Sequence, residues 1–294
     1  MTQRKSIRIS CAYSVDPESW IRLAALTGLL VALTACAERP VPRTLDVATT
    51  TSVQNSGLLE ALLPHFTDST VRVHAAGSGR ALEMLKDGVV DLVISHAPDA
   101  EARYLADHPD WAYQKLAFNR FVLVGPPGDP ARVKQAGDVL DAFRRIAATP
   151  VSFVSRGDSS GTHEREQTLW TLAGVMPTGG RMLTSGQGMA NTLRQADEKQ
   201  AYTLTDEATL WQLQHQLELV VVSEGDALLM NTYAVIYPRG AETATAFADW
   251  LTRGDGRRRI ESHLIEGRVA FHVWPDRCPG QRPAALPCAT SKNR

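Results

Sequence analysis

Apolar residues along this chain alternate between short continuous runs, typical of buried strands, and stretches where they recur at helical spacing. The first runs lie at residues 45–48, 71–75 and 91–95. Between them, residues 57–66 and 80–86 carry leucines three or four positions apart. This strand–helix order predicts a parallel sheet with helices on both faces.

A second series of the same kind follows, and it ends in a strand that returns to the first. Its predicted strands lie at residues 121–124, 151–154, 201–204 and 219–222, and its predicted helices at 136–145, 162–170, 190–198 and 206–214. The returning strand is predicted at 232–237. Two α/β series joined by two crossings predict a hinged, two-lobed α/β protein, each lobe a mainly parallel sheet flanked by helices. We expect lobe 1 at residues 44–119 and 233–274, lobe 2 at 120–232, and a Pro-rich tail at 275–294.

The N-terminal residues have the pattern of an export signal. Basic residues precede an apolar run from Leu23 to Ala35, which has the length of a signal-peptide core and is too short to span a bilayer. The run ends Leu-Thr-Ala-Cys36 and resembles the lipobox of bacterial lipoproteins, in which the Cys thiol is acylated. An ordinary secretory signal is the alternative. We expect a signal peptide over 1–35, a linker over 36–43, and an extracytoplasmic protein attached to the membrane only through lipidated Cys36.

Charge and cysteine content narrow the function classes. The formal net charge is −1, and removal of residues 1–35 brings it to −3, so we expect no nucleic-acid partner. Cys278 and Cys288 lie in the tail and predict a disulfide in an oxidising compartment. The eight histidines are scattered without the spacing of metal ligands, and we expect neither a metal nor a cofactor.

Four loops at strand ends are rich in hydroxyl side chains. They lie at residues 49–52, 77–79, 155–162 and 203–206. Each alone is typical of a helix N-cap. Together they predict one polar pocket, because ligands of open α/β sheets bind at the carboxyl ends of the strands. Donors outnumber acceptors and Arg156 adds a permanent cation, which favours a fully ionised tetrahedral oxyanion as ligand.

The loop at residues 155–163 admits a second interpretation. Gly157, Ser159 and Gly161 match the G-x-S-x-G nucleophile elbow of a hydrolase. His163 follows Ser159 by only four residues and would be carried by the same turn. A triad would instead recruit a histidine from later in the chain. The candidates are His215, His263 and His272.

Two further side chains bear on the choice of anion. A protonated anion such as hydrogen phosphate needs an acidic acceptor, and Asp158 could supply it. Alternatively, Asp158 caps backbone N–H groups at the helix start and orients Arg156. His96, directly after the third strand, either donates to a ligand or has a structural hydrogen bond.

Five segments in order resemble the extracytoplasmic tungstate-binding proteins of ABC importers. They are residues 45–59 (LDVATTTSVQNSGLL), 77–82 (GSGRAL), 118–126 (FNRFVLVGP), 155–166 (SRGDSSGTHERE) and 201–206 (AYTLTD). The resemblance covers about residues 44–240, although the R-G-D-x-S-G-T element alone is shared with related phosphate-binding proteins. It implies a periplasmic binding protein type II fold that closes over tungstate or molybdate, an ABC permease as partner, a monomer, and no enzymatic activity.

The resemblance also implies which residues bind the oxyanion. They are Thr50, Thr51, Ser52, Ser78, Arg156, Ser160, Gly161 and Thr162. Two positions depart from the family pattern: a His-Asp-Pro-like element is Ser95-His96-Ala97-Pro98 here, and an Arg common after the last loop is Glu207. These departures bear on affinity and anion choice rather than on the fold. The alternatives are a phosphate receptor of the same fold and a serine hydrolase using Ser159.

Overall fold

The computed structural model describes residues 43–276, 278 and 281–287. The expected signal peptide, Cys36, most of the linker and Cys288 lie outside these residues, so the expectations for them stay predictions. Among the described helices, none is long and apolar enough to cross a membrane.

Strands and helices alternate along most of the described chain. The strands are β1 Thr44–Thr50, β2 Thr70–Ala76, β3 Leu92–Ser95, β4 Trp111–Gly125, β5 Phe153–Ser155, β6 Met182–Thr184, β7 Thr203–Asp206, β8 Val220–Ser223, β9 Met230–Pro238, β10 Leu264–Ile265, β11 Arg268–Val269 and β12 His272–Val273. The α-helices are α1 Thr51–Asn55, α2 Leu58–Leu62, α3 Ser78–Lys86, α4 Pro98–Asp107, α5 Val139–Ala148, α6 Gly161–Ala173, α7 Met189–Glu198, α8 Glu207–Leu213, α9 Glu242–Thr252 and α10 Asp255–Ser262.

The first lobe is built on a mixed sheet in the order β12-β4-β9-β3-β1-β2. Its β1 is parallel to both β2 and β3, and its register pairs Thr50 with Ala76. The carboxyl ends of β1 and β2 therefore lie side by side, and the loops that follow them open α1 and α3 at one edge of the sheet.

The chain passes between the lobes as β-structure. The first part of β4 pairs antiparallel with β9 and β12, while residues 121–125 pair antiparallel with β7 and β8. In the second lobe β5 is parallel to β6 and forms a parallel bridge from Phe153 to Tyr202. The expected two-lobed α/β fold is thus present, and its antiparallel pairs come mainly from the two crossing strands.

Separate apolar cores stabilise the two sheets. In the first lobe, Phe66 packs edge-on against Phe247, with ring centroids 4.9 Å apart. In the second, Trp170 contacts Phe143 and Phe153 at 4.4 and 5.1 Å. Because each fully buried aromatic contributes about 1.5–3 kcal/mol, such clusters fix the positions of the helices that carry them. Trp170 lies on α6, whose first residues belong to the predicted site.

Candidate anion-binding site

The end of β1 supplies the first predicted site residues. Thr50 caps α1, since its Oγ1 accepts a hydrogen bond from the Val53 N–H at 3.3 Å. Thr50 and Ser52 are buried, and Thr51 is half-buried. The neighbouring Thr49 is also buried, and its Oγ1 has no hydrogen-bond partner within the described residues. An accepting hydroxyl still carries a hydrogen that it can donate, so this strand end offers several hydroxyl donors.

The end of β2 supplies Ser78, the first residue of α3 after the capping Gly77. Ser78 is fully buried, and its Oγ accepts a hydrogen bond from the His96 N–H at 3.3 Å. The ends of β2 and β3 thus meet at Ser78.

The second lobe supplies a buried cation. The Arg156 side chain is 2% exposed and donates to Asp158 at 2.5 Å, while Asp158 also accepts from the Ser160 N–H at 3.2 Å. Asp158 therefore has the capping and orienting role given above as one of its two alternatives. From the other side, Glu166 accepts from the Arg156 backbone N–H at 3.2 Å. Burial raises the pKa of Glu166 to about 7.

Two buried polar atoms at this loop have no hydrogen-bond partner among the described residues: Arg156 Nε and Thr162 Oγ1. Buried donors are paired in the great majority of cases, because an unpaired one costs about 1–3 kcal/mol. Ser160 caps α6 through the His163 N–H, and Gly161 and Thr162 follow as its first residues. The guanidinium, a free hydroxyl and the positive end of a helix thus coincide, which suits an anion.

The starts of α3 and α6 meet across the two lobes. The Gly79 N–H donates to the Ser159 carbonyl at 3.3 Å. Gly161 packs directly on His96, so a methyl group on Gly161 would overlap the His96 carbonyl and lie 2.7 Å from its Nδ1. Thr51 faces the start of α7, where a methyl group on Gly188 would lie 3.5 Å from it. Ser78 and Gly161 are therefore brought together, and the lobes are closed.

The two departures from the family pattern have structural partners. His96 Nδ1 lies 2.9 Å from Asn231 Oδ1, and burial lowers the pKa of His96 to about 4. Since the Asn231 amide donates to Asn119 and Tyr233, its oxygen accepts and the His96 Nδ1 carries the proton. Glu207 accepts from the Arg120 N–H on β4 at 3.1 Å. Both side chains support the crossing strands.

The hydrolase interpretation finds no triad within the described residues. Ser159 is exposed, and His163 Nδ1 accepts from the Ser159 backbone N–H at 3.1 Å rather than from its hydroxyl. His263 lies 2.8 Å from the Ser56 carbonyl, and His215 lies beside Glu266. The described residues contain no group of His, Cys, Asp or Glu that could hold a metal.

Known proteins match most of the chain. A model of the PBP superfamily domain matches residues 38–255. The tungstate-binding protein TupA of Peptoclostridium acidaminophilum is 38% identical over 251 residues, which cover 78% of this chain and 88% of the relative. The chain belongs to the tungstate-binding protein family of the PBP superfamily. Relatives in this family are named for binding an anion, and the chain is a binding protein rather than an enzyme.

Two solved structures extend the match to the family fold. The tungstate ABC transporter structure from Geobacter sulfurreducens has a TM-score of 0.68 at 36% identity and covers 75% of this chain and 98% of that chain. TupA from Desulfovibrio alaskensis G20 has a TM-score of 0.65 at 35% identity, and the match covers 79% of this chain and 99% of that chain. Both structures therefore match the chain over its two lobes.

The sequence did not point to the residues that hold the predicted site residues in place through hydrogen bonds. Glu166 and Asn231 hold Arg156 and His96, and Glu164 contacts the first lobe. A signal for Glu166 existed, since a carboxylate on the buried side of a helix must find a donor. Asn231 gave no comparable signal, because two of its partners, His96 and Asn119, lie more than a hundred residues away.

Proposed function

We propose that this protein captures a tetrahedral oxyanion, tungstate in the first place and molybdate in the second, for the permease of an ABC importer. Support comes from the family and from the closed arrangement of Ser78, Arg156 and Thr162. The observation that carries the proposal is the buried Arg156 guanidinium, whose Nε has no partner among the described residues. A dianion that only accepts hydrogen bonds fits such donors.

Binding operates through closure. Taking a dianion out of water is costly, so its oxygens must meet several donors at once, and this requires both lobes. The second lobe contributes Arg156, Ser160, Gly161 and Thr162; the first contributes Thr50, Thr51, Ser52 and Ser78. Because the anion contacts all of them only in the closed form, it shifts the population toward that form.

A fully ionised anion fits better than a protonated one. Hydrogen phosphate would donate its proton to an acidic acceptor in the pocket. Asp158 already accepts from Arg156 and from the Ser160 N–H, and Glu166 accepts from the backbone of Arg156. Asp158 thus bonds the guanidinium and Glu166 the backbone of Arg156, and this engagement of both carboxyl groups favours tungstate over phosphate.

The cellular setting completes the proposal. We place the mature protein outside the cytoplasm as a monomer, attached to a membrane through lipidated Cys36 after loss of residues 1–35. The lobe limits at 119/120 and 232/233 and the disulfide between Cys278 and Cys288 belong to this proposal. They are tested by mass spectrometry of the exported chain and by limited proteolysis.

The binding claim is tested by calorimetric titration of a chain starting after Cys36 with tungstate, molybdate, sulfate and phosphate. We expect tight binding of tungstate, comparable or weaker binding of molybdate, and weak binding of the other two anions. Tight phosphate binding without tungstate binding would overturn the proposal. Labelling of Ser159 by a fluorophosphonate probe would favour the hydrolase instead.

A further inference from the structure

Helix α4 has no capping side chain at its N-cap position, and of the N–H groups at its start its own Glu101 accepts only that of Ala97, at 3.0 Å. Its N-cap position is Ala97 and its first residue is Pro98, which has no N–H. The next two N–H groups, those of Asp99 and Ala100, need acceptors, because the first turn of a helix has no intrahelical partners for them. The Glu101 N–H bonds back to the Ala97 carbonyl at 2.8 Å.

The acceptors come from the other lobe. Glu164, on the first turn of α6, accepts from the Asp99 N–H through Oε1 and from the Ala100 N–H through Oε2, both at 2.9 Å. The carboxylate thus binds with both oxygens and faces the positive end of a ten-residue helix. We call this arrangement the cross-lobe cap.

We propose that Glu164 is a positioning residue for anion capture: the cross-lobe cap stabilises the closed form and slows release of the bound anion without contacting it. The inference rests on the proposed function, because it assigns Glu164 a role in the same closure. Opening of the lobes breaks both hydrogen bonds at once, and Ala97 has no side-chain acceptor to replace them.

The position of Glu164 relative to the anion-binding loop explains the coupling. Glu164 lies two residues after Thr162 on the same helical turn, so the movement that brings Thr162 to the anion also brings Glu164 to α4. The charged groups facing the carboxylate from α4 are Asp99 and Arg103, and Arg165 lies beside it on α6. A cleft of about 600 Å³ lies between α4 and α6, and Glu164 is one of its lining residues.

The test is the dissociation rate of tungstate at pH 8, measured by stopped flow for the wild-type chain, Glu164→Ala and Glu164→Gln. Loss of a capping carboxylate costs about tenfold in an equilibrium constant. We expect Glu164→Ala to raise the dissociation rate about five- to tenfold with little change in the association rate. Glu164→Gln keeps one acceptor oxygen and should fall between. An unchanged dissociation rate in Glu164→Ala overturns the proposal.

Asp138→Ala is the matched control. Asp138 caps α5 through the Asp141 N–H at 2.7 Å, entirely within the second lobe. We expect this variant to lose thermal stability with and without tungstate and to keep the wild-type dissociation rate. An equal rise in dissociation in both variants would mean that a general loss of stability is responsible, and would overturn the specific role of Glu164.

A second measurement separates this inference from the proposed function. Spin labels at Ala106→Cys on α4 and Leu172→Cys on α6 report the distance between the lobes without any ligand. We expect Glu164→Ala to shift that distribution toward longer distances. If the wild-type chain binds no tungstate or molybdate, the proposed function fails, and this distribution still decides the role of the cap.

Discussion

The two halves of the site differ in how their donors are held. In the first lobe, the hydroxyls of Thr50 and Ser78 already accept hydrogen bonds from backbone N–H groups, so each has a structural role besides any contact with the anion. In the second lobe, Arg156 is fixed by two carboxyl groups, and its Nε and the Thr162 Oγ1 have no partner among the described residues. The second half thus carries the charge and two donors without a partner, and the first half, in which Thr49 Oγ1 also has no partner among the described residues, completes the enclosure.

Removal of the cation should have the largest effect. Arg156→Ala deletes several charge-assisted hydrogen bonds, each worth about 1.5–3 kcal/mol, and leaves the dianion beside Asp158 and Glu166. We expect tungstate affinity to fall at least about 100-fold by calorimetry. Arg156→Lys keeps the charge without the two-pronged donor geometry and should recover part of the loss. Unchanged affinity in Arg156→Ala would remove the second half from the site.

A substitution that blocks closure of the two lobes should have the second-largest effect on affinity. In Gly161→Ala the new methyl group would overlap the His96 carbonyl of the first lobe, so the closed form is destabilised while the second lobe still folds. We expect affinity to fall by more than about tenfold, with the ligand-free melting temperature nearly unchanged.

Gly77→Ala is the control for that variant. The added methyl group lies at ordinary contact distance, 3.4 Å from the Asp158 carbonyl, and the backbone φ of −68° accepts any residue. It should bind tungstate nearly as well as the wild-type chain. Equal losses in both glycine variants would show that the two lobes do not meet as described.

A pair of isosteric substitutions separates the roles of the hydroxyls in the two halves. Thr162→Val removes an uncommitted hydroxyl, so affinity should fall about tenfold while ligand-free stability is kept or raised. Thr50→Val also removes the α1 cap and should lower the free energy of unfolding by about 1 kcal/mol. Calorimetry together with urea denaturation measures both quantities. Equal losses of stability in Thr162→Val and Thr50→Val would contradict this difference between the two hydroxyls.

The smallest expected effect is a pH dependence from the second half. Burial raises the pKa of Glu166 from 4.5 to about 7, so the folded protein binds more protons than the unfolded chain between those values. Its contribution therefore favours folding at low pH and is lost as pH rises through 7. Glu166→Gln should match the wild-type melting temperature at pH 5 and exceed it by a few degrees at pH 8. Equal differences at both pH values would contradict a raised pKa.

The sequence predicted the elements whose apolar pattern is regular. The strands at β1, β2 and β3 and the loops that open α1, α3 and α6 lie within a few residues of their expected positions. These elements obey local rules, namely apolar runs followed by a hydroxyl or glycine that caps a helix. The same local rules brought the Thr50, Ser78 and Ser160 positions to attention.

Other elements depend on contacts that no local pattern contains. The expected strand at 121–124 is only the end of β4, which begins at Trp111. Its first part carries Lys115, which interrupts the apolar run. This lysine can be buried because its Nζ donates to Thr232 on β9 and to the Pro283 carbonyl in the tail. Helix α4 was likewise not predicted, since Ala97 gives no capping signal and the acceptor comes from Glu164.

The path of the chain through the lobes sets the order in which the two lobes can fold. The main core of the second lobe draws only on residues from Phe121 to Leu229, so all of its residues are present before β9 has been synthesised. The first lobe must wait for β9, whose Ile236 pairs with Val93 across about 140 residues. The half that carries Arg156 can therefore fold before the chain is complete, while β3 remains an open sheet edge until β9 has been made.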